Sequence, residues 1–87
     1  MLFEQIAAEI ERTTAEALSQ IGGNYVVDRV TVIRGYVQLI ASDTESNDDW
    51  RKLADVILDV SHIAIRHQKS ELAHDLKALA AAIETNK

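Results

Sequence analysis

Few side chains here could do chemistry near neutral pH. The three histidines, His62, His67 and His74, are the clearest candidates, because an unperturbed imidazole changes charge between pH 5 and 8. His67, Glu71 and His74 are spaced by four and then three residues. On an unbroken helix that spacing sets imidazole, carboxylate and imidazole on one side. Such a set can ligate a metal ion through nitrogen and oxygen, or it can line a polar seam between packed helices. Lys77 follows His74 by three positions and shares its side. His62 falls at the edge of a wet face and reads as solvated. The chain has no cysteine, which excludes disulfides and thiolate metal sites. Ser42 and Ser46 sit near acids but far along the chain from His62, so nothing suggests a catalytic triad. No glycine-rich phosphate loop or nucleophile elbow is present. The expectation is a protein that is not an enzyme and holds no cofactor, with His74 and Lys77 the alternative reactive pair.

Three resemblances attach to these residues. Glu71-x-x-His74 matches the Glu-x-x-His element of carboxylate-bridged di-metal bundles. Such bundles need two of these elements, which a homodimer would supply, plus glutamates from other helices. Ala73-His74-Asp75-Leu76-Lys77-Ala78 resembles the Ala-His-x-Leu-Lys-Gly core of histidine-phosphotransfer domains. That likeness implies a phosphoacceptor His74 assisted by Lys77, with Ala78 where the family has glycine. Ile33-Arg34-Gly35-Tyr36 is similar to the segment after the phosphoacceptor histidine of sensor-kinase dimerisation helices, with Asn24 at the histidine's position. The stretch from Val30 to His67 also resembles helical hairpins of small phage proteins that sequester signalling nucleotides. Its echo is an Ile-Arg pair, then Leu-Ala and an Ala-x-Arg-His end, without that family's aromatic pair. Arg29, Arg34 and Arg66 would then be the phosphate-holding groups, since guanidinium forks suit phosphate oxygens.

The element that must position everything else is the apolar stretch from Asn24 to Ala41. Val26, Val30, Ile33, Val37 and Ile40 recur at spacings of four, three, four and three, the period of a helical face rather than of a strand. Val27, Val32, Tyr25, Tyr36 and Leu39 widen the apolar arc to roughly two-thirds of the circumference. Before it, residues 2–21 form an amphipathic helix with a narrow stripe, stopped by Gly22. Asn24 is placed to cap the second helix, and the tight glycine pair implies a helical hairpin. A polar loop spans residues 42–49. Trp50 then opens a third helix, 49–67, with another wide apolar arc. Leu72, Leu76, Leu79 and Ile83 form a new stripe over 70–84, rotated by roughly a quarter turn. With neither glycine nor proline near Gln68, the last two segments are expected to run as one continuous helix, a break giving four helices being the alternative.

The fold class is therefore all-α, an antiparallel bundle of three or four helices in one small domain. The two wide arcs exceed what a single neighbour covers, and large exposed patches mark interfaces. This predicts a homodimer or higher oligomer joined through Val26, Val30, Ile33, Val37, Ile40, Trp50 and Ile57. The net charge of −5, without a basic stretch, argues against nucleic acid as a partner. The apolar runs are too short to cross a bilayer, and the first residues do not resemble a secretion signal. The expected role is a small acidic interaction or regulatory protein of the cytoplasm, binding itself and another protein.

Overall fold

In a computed structural model of the chain, residues 3–42 and 47–85 are described. Sequence expectations for Leu2, for residues 43–46 of the polar loop and for the last two residues lie outside the described residues. Those described form four helices and no strand: α1 (Phe3–Gln20), α2 (Gly23–Ser42), α3 (Asn47–Arg66) and α4 (Ser70–Thr85). The expected all-α class is therefore what is seen.

Helix α1 packs on α2 and α4, and α3 packs on α2 and α4, so the four close into a ring. Directions follow from the seams. Gln5 and Ala8 of α1 lie by Ala82 of α4, whereas Glu16 and Gln20 lie by Gln68 to Glu71. The pair is antiparallel, as the short links between consecutive helices also require. The body measures 36 × 22 × 19 Å. A twenty-residue helix is about 30 Å long, so the helices share the long axis.

The apolar period fills the interior. Ile6, Ile10 and Ala17 of α1 meet Val26, Val30, Ile33 and Ile40 of α2, Leu53, Ile57, Val60 and Ala64 of α3, and Leu72, Leu76, Leu79 and Ile83 of α4. Across the diagonal, Phe3 and Trp50 meet edge to face, with ring centroids 6.1 Å apart at 88°. Thr13, Thr14 and Ser61 are buried as well. Each hydroxyl donates to a carbonyl of its own helix, Thr14 to Ile10 at 2.7 Å and Ser61 to Leu58 at 2.6 Å, so none is left unpaired.

The structure corrects two expectations. The residues assigned to an oligomer interface belong to the chain's own core: Val26, Val30, Ile33, Ile40, Trp50 and Ile57 are buried within one copy, and Val37 is half-buried. The wide arcs exceed one neighbour, but each helix of a four-membered ring has two neighbours and faces a third across the core.

The second correction concerns residues 67–69, where the continuous helix breaks. Lys69 N–H donates to Ala64 C=O at 2.8 Å and Gln68 N–H to Ile65 C=O at 3.0 Å. Gln68 has φ 61°. These are the two bonds and the left-handed residue of a Schellman termination, here built without glycine. Reversal lets the rotated Leu72–Ile83 stripe face the core instead of water. The left-handed conformation costs a side-chain-bearing residue about 1–2 kcal/mol. Glycine avoids that cost but loses more backbone entropy. Gln68→Gly is therefore expected to stabilise the fold by about 0.5–1 kcal/mol, read from urea denaturation. A loss of stability would show that the Gln68 side chain contributes more than its backbone costs.

Both turns lie at the same end of the ring. The other turn uses glycine twice, with Gly22 at φ 70° and Gly23 at φ 86°. Gly23 opens α2, so Asn24 sits inside the helix it was expected to cap. Asp48 and Asp49 fall in the first turn of α3, where negative charge suits the helix dipole.

Candidate functional site

The break at residues 67–69 dissolves the candidate metal set. His67 lies in the turn, while Glu71 and His74 lie on α4. Their spacing therefore no longer places them on one helical side. Among the described residues no group of three histidine, cysteine, aspartate or glutamate side chains is placed to hold a metal ion. His62, His67 and His74 are all exposed, as are Lys77 and Ala78 beside the last.

The three arginines do not converge within one copy. Arg29 stands over the Tyr25 ring, 5.6 Å from its centroid, and reaches Asp59 of α3 at 3.9 Å. Arg34 borders the opposite seam, towards α1, and Arg66 ends α3.

Two surface features remain. The first is a cleft of about 520 Å³ between α1 and α4, which residue spacing did not signal. Alanines at 8, 78 and 82 leave it open, with Leu79 at its base. Arg12 spans its rim, pairing with Glu9 at 2.9 Å, Glu16 at 3.3 Å and Asp75 at 3.9 Å. The hydrogen bonds that Arg12 donates to Glu9, with the charge of that carboxylate, hold the guanidinium above its ordinary pKa. These pairs are exposed and of a kind that contributes little to stability. A signal that could have found it is the i, i+4 alanine pair Ala78 and Ala82, which no expectation above drew on.

The second feature runs along the outside of α2. Tyr25 and Leu39 are 50% and 52% exposed, and Val32 and Tyr36 are half-buried. Tyr25, Val32 and Leu39 recur every seven residues, so they lie close to one line along the helix. Tyr36 flanks that line on the core side, with Asp28 and Gly35 on the solvent side. Val32, Gly35, Tyr36 and Leu39 together line a shallow apolar depression. Val27, 49% exposed, projects from another side of the helix. The sequence marks Tyr25, Val32, Tyr36 and Leu39 as widening an apolar arc beyond what one neighbour covers. In the fold they are the part of that arc that the ring leaves in water.

Among the described residues no helix is long and apolar enough to cross a membrane. Comparison with known proteins yields no match to any family model, curated protein or solved structure.

Proposed function

We propose that this chain is a non-enzymatic helical interaction module, with the outer face of α2 as its contact surface. One observation carries the reading. The bundle encloses its own core, yet a line of large apolar side chains from Tyr25 to Leu39 stays half in water. Isolated exposed apolar residues are ordinary on protein surfaces, whereas a contiguous apolar strip with polar edges is the usual mark of a binding face. Tyrosine suits such a face, pairing a large apolar body with a polar tip.

Site-specific photo-crosslinking tests the assignment. A photoreactive residue placed at Leu39 in the full chain is expected to capture protein in native lysate. The same residue at Arg51, an exposed position on α3, serves as control. Capture at Leu39 above that control, whether of a second copy or of another protein, supports a contact surface there. Equal labelling at both positions would remove it.

A further inference from the structure

We infer that α1 is a releasable arm, which swings off the ring as a unit about the Gly22–Gly23 link while α2, α3 and α4 stay packed together. The first ground is how unevenly the seams of the ring are filled. Both seams of α1 are open, with a cleft of about 520 Å³ against α4 and another of about 330 Å³ against α2. Atoms that line a gap lose the dispersion contacts that a filled seam supplies. Helix α3 differs. Leu53, Ala54, Ile57, Val60 and Ala64 are buried along its length, and its most extensive contact is with α4.

The second ground is what α1 puts into the core. From its middle towards the link, the buried side chains are Thr13, Thr14 and Ala17, all small. Both hydroxyls donate back to α1 itself, Thr13 to Glu9 C=O at 2.8 Å and Thr14 to Ile10 C=O at 2.7 Å, so their hydrogens stay within the helix. Leu18 and Ile21, the large apolar residues nearest the link, are half-buried. Arg12 reaches Asp75 of α4 at 3.9 Å, but that pair is exposed and of a kind that contributes little. The firm grip lies at the far end, where Ile6 and Ile10 are buried and Phe3 meets Trp50.

The link is the third ground. Gly22 and Gly23 both have positive φ, and a Cβ added at Gly23 would meet nothing within 4 Å. Two successive glycines in open space can change conformation without steric cost. The turn between α3 and α4 is carried by Gln68, whose side chain denies it that freedom. Segments that bury few large apolar side chains open locally, below the free energy of global unfolding. A latch at one end, small and polar side chains in the middle and glycines at the other end make α1 such a segment. Its release puts the inward faces of α2 and α4 in water and leaves the α2–α3 and α3–α4 contacts in place.

Native-state hydrogen exchange of the full chain in low urea tests this. The α1 amides are expected to exchange as one group, about 100-fold or more faster than the slowest amides of α3 and α4. Their rate should also depend less steeply on urea, because release exposes less surface than unfolding does. One rate and one urea slope shared by all four helices would overturn the inference, since α1 would then leave only when the whole chain unfolds. A graded loss of protection from Phe3 inward would overturn it too, as the mark of a fraying end. Thiol labelling gives a second reading in a chain with no cysteine of its own. Ala17→Cys and Ala54→Cys each place a thiol at a fully buried site, the first on α1 and the second on α3. The Ala17→Cys thiol is expected to react at least about tenfold faster than that variant's own unfolding equilibrium allows, whereas the Ala54→Cys thiol reacts only as fast as unfolding allows. Labelling of Ala17→Cys no faster than its global unfolding permits would refute the release of α1.

Discussion

Trp50→Ala is expected to cost about 3–5 kcal/mol, the usual loss for emptying a large aromatic site in a core. The side chain is only 8% exposed and meets Phe3 edge to face across the ring. That contact ties the start of α1 to the start of α3 along the diagonal, beyond what the seams between neighbours supply. Helix α1 has most to lose, because it buries only a narrow stripe. A chain of this length has roughly 4–13 kcal/mol of stability in total, so the variant should sit near the limit of folding. Urea denaturation followed by circular dichroism measures the loss, and hydrogen exchange should show α1 amides losing protection before those of α3 and α4. Protein concentration separates core from interface. A side chain buried inside one chain costs the same at low and high concentration, whereas an interface residue loses less on dilution. A concentration-dependent loss would return Trp50 to the interface assigned from sequence.

That contrast shows what the sequence carried. Helical periodicity was legible because Val26, Val30, Ile33, Val37 and Ile40 repeat too regularly for a strand, whatever their β-branching. The number of neighbours was not legible. A wide apolar arc is compatible with an oligomer and equally with a four-membered ring inside one chain. The fact deciding between them was the reversal at Gln68. The rotated Leu72–Ile83 stripe raised a break there as the alternative, but neither glycine nor proline marks the turn, and Gln68 takes its left-handed conformation where folding back gives that stripe a core. The candidate metal set failed for the same reason, because its spacing presupposed an unbroken helix through His67. The face now assigned to contact was half-visible. Its residues were named as the widening of the arc, but the interface was assigned to Val26, Val30, Ile33, Val37 and Ile40, because periodicity alone cannot say which part of an arc the other helices leave uncovered.

Leu39→Glu should separate association from folding. Leu39 is half exposed in the single copy, so the substitution should change stability by no more than about 0.5 kcal/mol. On the proposed contact face it sets a carboxylate beside Val32, Gly35 and Tyr36, in the apolar depression. Burying an unpaired charge against a bound partner is costly. With a photoreactive residue at Tyr25, the parent chain should capture protein in native lysate and the variant should lose that capture, a loss of affinity of about 100-fold or more. Leu39→Met, which keeps an apolar side chain of similar volume, should retain the capture. Identical capture by Leu39→Glu and the parent chain would mean that the line from Tyr25 to Leu39 faces only water, and that any association uses another surface of the bundle.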